Sequence, residues 1–354
     1  MTEKKDRDMM EKQNVAENRN TAIIEQKKIL GHVLKWVLIL GLLIFACVKN
    51  QAFMKEAVTE VMHTSVWKLV VCLLLANLYF VAEGTIIGRM TSTGEARLTI
   101  GQGISCAYMC AFYRLATLGS GNGIAQLYYY NTKGIHVAEA TGMSLSQYTF
   151  QKITIGVMGV LSFIGLVISG NKNLLAYAGY MLAGVVVISF ICVFLFVITV
   201  SKKVSDWVMK LARRLIKEKW KIYGKLDQAQ AAIDSLQSQG RLIWHDKKLF
   251  LQVVLLDVLK FSCWYAIPGI LFVQEFDVNL FMCLALMAVC NMLGCVMVAP
   301  SGVGTLDFVF AVFFGSIIPE GDSVAAAIVI YRFFTWVVPF LIGLIPAAFL
   351  KKER

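Results

Sequence analysis

Six apolar runs of membrane-spanning length constrain this chain more than any other feature: Ile29–Val48, Val66–Ile87, Met143–Ser169, Leu174–Val200, Leu249–Val273 and Val324–Leu350. A helix needs roughly 20 mainly apolar residues to cross a hydrocarbon core of about 30 Å. Inside lipid, only a helix or a closed barrel satisfies its own backbone polar groups. The expected class is therefore an all-α, polytopic integral membrane protein. Composition agrees, with 58% of the 354 residues hydrophobic and only 16% charged, against about a quarter charged in a soluble domain. No water-soluble core of this size hides so much apolar surface. That excludes a soluble enzyme, a nucleic-acid reader and a disordered scaffold, and no nucleic-acid partner is expected.

Two further apolar regions are broken. Ile100–Leu118 is interrupted by Gly119-Ser120-Gly121-Asn122-Gly123 and resumes through Ile124–Tyr130. Leu280–Ala299 is interrupted by Pro300-Ser301-Gly302-Val303-Gly304 and resumes as Thr305–Ile318. That last arm of 14 residues makes about 21 Å of helix, too short to cross. These are either two re-entrant hairpins or ordinary loops with turn glycines just outside the bilayer.

Charge favours the hairpins. The whole net charge of +11 lies in residues 1–35, 201–248 and 351–354. If both broken regions are re-entrant, all three stretches face the cytoplasm. The outer segments 49–65, 170–173, 274–279 and 319–322 then hold only three Lys against six acidic residues. A full crossing of Ile100–Leu118 would instead place the twelve basic residues of 201–248 outside, against the positive-inside rule. The expected architecture is about six full spans plus two opposed re-entrant hairpins, in the plasma membrane, with both termini cytoplasmic. The unit span–hairpin–span at 66–169 then recurs upside down at 249–350, an inverted repeat of the kind whose broken segments mark a transporter's central site. Residues 1–28 form a charged tail, 29–350 the transmembrane domain and 351–354 a basic tail. The first apolar run follows a charged stretch and no small-residue cleavage site follows it, so no secretory signal is expected.

Within the loop 201–248, Val204, Trp207, Val208, Leu211 and Leu215 recur at helical spacing, with Lys203, Lys210, Arg213, Arg214 and Lys217 largely between them. Residues 203–220 thus read as an amphipathic helix that lies on the anionic cytoplasmic leaflet, with Trp207 and Trp220 at headgroup level. The other reading is a solvated extension of the preceding span.

A charge at mid-bilayer costs about 2.5–3.5 kcal/mol on insertion scales, so each one needs a reason. Arg114 stands just before the first break, Asp307 just after the second, Arg332 within the last span, and Lys152 beside Gln151 in the third. If the two breaks meet, these four converge with Gly121, Gly123, Gln126, Pro300, Gly302 and Gly304 in one binding site. Arg suits a phosphate through its bidentate fork. An Arg332–Asp307 ion pair that only holds helices together explains the same residues. Asp257 and Lys260, three apart on one face, are expected to pair, and Glu83, near a span end, is expected to reach water.

Catalysis finds no support. None of the four His joins a Ser or Cys in a nucleophile motif, the nine Cys show no CxxC spacing, and no phosphate-loop motif is present. No catalytic residue, metal or cofactor is expected.

Ala299-Pro300-Ser301-Gly302-Val303-Gly304 followed by Asp307, with Arg332 in the last span, resembles the lysylphosphatidylglycerol synthase transmembrane-region family, the flippase-like membrane half of the multiple peptide resistance factor. The break at Gly119–Gly123, then Ala125-Gln126-Leu127-Tyr128 and the Lys133-Gly134 turn, is similar to the family's first motif. The chain carries Gly119 and Gln126 where that loop usually has Pro and then Arg, and Asp307 where Glu is usual. The resemblance covers roughly residues 30–350. It implies movement of a phospholipid, anionic or aminoacylated, between leaflets. Full-length relatives add a lysyl group to phosphatidylglycerol through a C-terminal soluble domain. Because the sequence stops at Arg354 after its last span, that domain is expected to be absent.

The resulting expectation is a lipid translocase-like protein whose partner is a phospholipid. Two alternatives stand beside it: the membrane component of a phosphatidylglycerol lysyltransferase working with a separately encoded transferase, and a small-molecule transporter. A homo-oligomer is compatible with each.

Overall fold

The computed structural model describes residues 59, 62–93, 97–117, 121–216, 226–296 and 304–350. The chain divides into two units, Met1–Thr59 and Glu60–Arg354, and every element named below belongs to the second. The expected first span Ile29–Val48, both charged tails, Lys217, Trp220, Pro300 and Gly302 lie outside the described residues.

The described residues are helical throughout, in the order α1 (Val66–Met90), α2 (Ile100–Ala116), α3 (Asn122–Thr132), α4 (Val137–Ile168), α5 (Lys172–Leu175), α6 (Ala178–Val200), α7 (Lys202–Leu215), α8 (Leu226–His245), α9 (Lys247–Phe272), α10 (Leu280–Val296), α11 (Thr305–Gly315), α12 (Gly321–Arg332) and α13 (Val338–Phe349). A π-helical stretch, Phe333–Val337, joins the last two. Five helical stretches are long and apolar enough to cross a membrane: Val66–Thr91, Val137–Ile168, Ala178–Val200, Lys247–Phe272 and Ser323–Phe349. They coincide, within a few residues, with the five described apolar runs. The largest difference is α4, which starts at Val137 rather than Met143 because its first turns pack on α8 instead of lipid; a side chain at Gly142 would strike the Ser235 carbonyl.

Local chemistry explains where several helices begin. Thr99 and Gln102 close a reciprocal box at the start of α2, Thr99 Oγ1 accepting the Gln102 N–H at 3.2 Å and Gln102 Oε1 accepting the Thr99 N–H at 2.9 Å. Asp246 accepts the N–H groups of Lys248 and Leu249 at 3.0 Å each, opening α9. Asn279 Oδ1 accepts the Met282 N–H at 2.7 Å, opening α10.

The outer faces are apolar. On α6, Phe190 is 71% exposed, Val186 62% and Val193 61%, a surface that only lipid solvates favourably. The core is instead a close packing of α1, α2, α9 and α10 with α4 and α13. Tyr79 on α1 stacks on Trp264 of α9 with ring centroids 3.6 Å apart, and Phe80 stacks on Tyr108 of α2 at 4.8 Å.

Helix partners are reciprocal. The short arm α2 packs on α13, and the short arm α10 packs on α4. A glycine makes room in each case. A side chain at Gly343 would strike the Tyr108 carbonyl and Phe112 Cβ, and one at Gly159 would strike Met292 Cβ. Small residues at such crossings let backbones approach where apolar burial supplies no preference between helix and lipid. The arms α2 and α10, each of 17 residues, span about 26 Å, while α3 and α11, each of 11, span about 17 Å.

Candidate functional site

The two sequence breaks are both built around a glycine where the next helix starts. Gly121 precedes α3, and its N–H donates to Thr117 Oγ1 at 2.6 Å; any Cβ there would meet that hydroxyl and the Tyr113 carbonyl. Gly304 precedes α11 with φ +85°, a left-handed conformation that glycine adopts at no steric cost. Its N–H donates to Asp307 Oδ2 at 3.0 Å, so the acidic residue caps its own helix. Gly123, by contrast, faces open space and joins neither arrangement.

Asp307 does more than cap. Its Oδ1 accepts Arg332 Nε at 2.6 Å, with the two side chains 27% and 19% exposed. The Arg332 guanidinium also sits 4.9 Å from the centre of the Trp336 ring, and the Arg114 guanidinium sits 5.3 Å from the same ring. Arg114 additionally faces Trp264 at 5.7 Å. Cations over indole faces at such distances are attracted by the ring quadrupole. No carboxylate among the described residues lies within ion-pair distance of Arg114.

Arg114 Nη2 donates to the Thr335 carbonyl at 3.3 Å. Pro339, four residues on, has no N–H to give to that carbonyl, and the π-helical stretch Phe333–Val337 lies over the same residues. The sequence thus makes a backbone acceptor available inside the last span, and Arg114 takes it. Such wide turns recur at functional positions in helices.

Arg114 also lines a cavity of about 80 Å³ together with Glu83, Asn122, Gln126 and Gln151, walled by Tyr79 and Phe80. A polar network holds several of these lining residues. Gln126 Nε2 donates to Gln147 Oε1 at 2.6 Å and to the Tyr130 hydroxyl at 3.0 Å. Gln147 and Gln151 then donate to Glu83 Oε1 at 2.7 and 2.8 Å. Lys260 Nζ meets Glu83 Oε2 and Asp257 Oδ1, each at 2.5 Å. The cavity lining therefore includes both a cation, Arg114, and a hydrogen-bonded carboxylate, Glu83.

Several sequence expectations change here. The Asp257–Lys260 pair exists as expected, but Glu83 is not at a helix end; α1 continues to Met90, which leaves Glu83 two turns inside and 15% exposed. Lys152 does not join Arg114, Asp307 and Arg332: its ammonium meets Cys295 Sγ at 3.3 Å and the Tyr148 ring at 5.3 Å. Gln126 does reach the cavity. Glu83 and Gln151 also line the cavity, and Gln147, Trp264 and Trp336 touch residues that do, a placement that spacing alone does not give. The available signal was the polar row Gln147–Gln151, one turn apart in an apolar run.

A second, wider groove of about 530 Å³ lies between α4, α9 and α10, lined by Leu161, Tyr265, Phe281, Met282 and Ala285 among others. On α7, Ser205 and Met209 are buried while Trp207 is 62% and Leu215 67% exposed. The exposed apolar stripe runs beside Lys203, Lys210 and Arg214, and Arg213 pairs with Asp227 of α8 at 2.7 Å.

A search among curated proteins finds no match. The family model for the Lysylphosphatidylglycerol synthase TM region matches residues 32–343 of this multi-pass helical chain, and the chain belongs to this family.

Proposed function

We propose that this protein is a lipid translocase-like membrane protein that binds the phosphate of an anionic or aminoacylated phospholipid at Arg114 and carries the headgroup between leaflets. The observation that carries this reading is the placement of Arg114 in the lining of a polar cavity within an apolar bundle. It has no carboxylate partner among the described residues, two indoles beside it and one backbone acceptor. A guanidinium held this way has donors left for a phosphate. Arg332, tied to Asp307, positions Trp336 and adds positive potential. Glu83, in the same lining, suits the amine of an aminoacyl headgroup, a preference that the family's printed name supports. The apolar groove between α4, α9 and α10 suits an acyl chain.

The same reading treats α2–α3 and α10–α11 as opposed re-entrant hairpins of an inverted repeat. Their arms are shorter than a bilayer core, and their reciprocal packing on α13 and α4 supports it. Both termini and 201–248 are then cytoplasmic, and α7 rests on anionic lipid through Trp207, Leu211 and Leu215.

The test is a leaflet-resolved lipid assay in proteoliposomes of the purified chain. Movement of labelled phosphatidylglycerol or lysyl-phosphatidylglycerol well above empty vesicles, and above phosphatidylcholine, is expected. Equal rates for all lipids and for protein-free vesicles contradict the proposal.

A further inference from the structure

Asp257 is fully buried. It meets Lys260 Nζ at 2.5 Å as an ion pair, yet neither of its carboxylate oxygens receives a well-directed hydrogen bond. Glu83, on the other side of the same ammonium, is better served, since it accepts two amide donors as well. Two carboxylates thus share one lysine, and Asp257 is the one left without further donors.

The surroundings add little that could compete. On its own helix the charged neighbour is Lys260, and α1 contributes Glu83 together with the Tyr79 ring 5.8 Å from the Lys260 ammonium. From α4 come Gln147 and Gln151, both neutral, while Lys152 is turned to Cys295. The α10 helix carries no charged residue, only its cysteines, and Arg241 and His245 of α8 are exposed. On α2 the charged group is Arg114, which shares the cavity with Glu83. Arg332 on α12 is held by Asp307.

Charge balance then links two sites. With Arg114 and Lys260 cationic and Glu83 and Asp257 anionic, this cluster of four carries no net charge. A phosphodiester at Arg114 adds one negative charge in a low-dielectric setting. We infer that Asp257 is a proton-binding site coupled to anion binding at Arg114, so that the protein takes up a proton from water when the lipid phosphate enters and releases it when the phosphate leaves. The Asp257 carboxylate becomes a carboxylic acid, no other bond changes, and the net charge of the cluster is restored. This rests on the phosphate reading of Arg114 given above. It assigns the protein an ability to couple lipid movement to a proton gradient.

By reciprocity, if lipid raises proton affinity, protons raise lipid affinity by the same factor. The experiment adds phosphatidylglycerol to the purified full chain in a neutral detergent, weakly buffered, with a pH-indicator dye. Binding is read from the fluorescence of Trp264 and Trp336, with phosphatidylcholine as the control lipid. The expected result is uptake approaching one proton per phosphatidylglycerol bound, lost in Asp257→Asn. Wild-type affinity should also rise as pH falls, by up to about tenfold per unit, over the pH range in which proton uptake is seen. The wild-type slope needs no variant and so survives any folding defect of Asp257→Asn. Binding with no proton uptake and a flat affinity profile overturns the inference and leaves the phosphate site standing. Uptake retained in Asp257→Asn but lost in Glu83→Gln overturns the assignment to Asp257. Absence of phosphatidylglycerol binding removes the phosphate site and the inference together.

Discussion

Arg332 Nε and Asp307 Oδ1 meet at 2.6 Å across 25 residues of chain, and the same carboxylate holds the Gly304 N–H at the start of α11. The pair ties the second break to the last span. Arg332→Gln and Asp307→Asn should each lower stability in detergent by about 1.5–3 kcal/mol, the range for a charged hydrogen bond partly removed from water. The double variant should recover part of that, with a coupling of about 0.5–3 kcal/mol. Unfolding midpoints of the four proteins supply the cycle, and strict additivity would show that the contact contributes nothing.

Glycine crossings provide a second prediction. Gly159→Leu and Gly343→Leu force α4 off α10 and α13 off α2, because the would-be Cβ atoms already meet Met292 and Tyr108. Each should cost about 1–3 kcal/mol by overpacking. Gly123→Ala, with nothing within 4 Å of its Cβ, should be neutral or stabilise α3 by up to about 1 kcal/mol. Thermal unfolding that ranks Gly123→Ala with the other two would contradict the helix pairing.

The surface helix supplies a third. Replacing Lys203, Lys210 and Arg214 by Gln in a peptide of residues 202–220 removes about 1 kcal/mol of attraction per charge near an anionic surface. Binding to phosphatidylglycerol vesicles should fall by about two orders of magnitude, and Trp207 fluorescence, blue-shifted by lipid in the parent peptide, should stay at its aqueous position. Unchanged partitioning would mean that α7 is a solvated helix.

Much of this fold was legible because a span is written in length and hydropathy, which need no tertiary context. The five described runs and both broken regions came from that signal, as did the Asp257–Lys260 pair at helical spacing. Side-chain destinations were not legible in the same way. Lys152 and Arg114 look alike in sequence, each a lone cation in an apolar stretch. Which one reaches the cavity depends on how α2 and α4 rotate against α13 and α10. Glu83 was placed at a water boundary because the apolar run ends at Ile87, whereas α1 continues to Met90. The role of Pro339 was hidden too, since its effect is to free a carbonyl four residues earlier for a side chain 221 positions away.

Topology is open to direct labelling. In a Cys-less background, Asn171→Cys should react with an impermeant maleimide in intact cells, and Ser235→Cys should react only after permeabilisation. The opposite pattern would break the re-entrant reading, because it requires Ile100–Leu118 to cross completely.

The proposed function makes lipid recognition depend on Arg114, and removing that side chain is the most direct measurement. In the proteoliposome assay, Arg114→Gln should slow movement of phosphatidylglycerol by about 10- to 100-fold, the equivalent of a charge-assisted hydrogen bond, while insertion and unfolding midpoint stay near wild type. Arg114→Lys should recover part of the rate, since a point charge remains without the planar fork. Wild-type movement of phosphatidylglycerol in Arg114→Gln would contradict the phosphate site at the cavity.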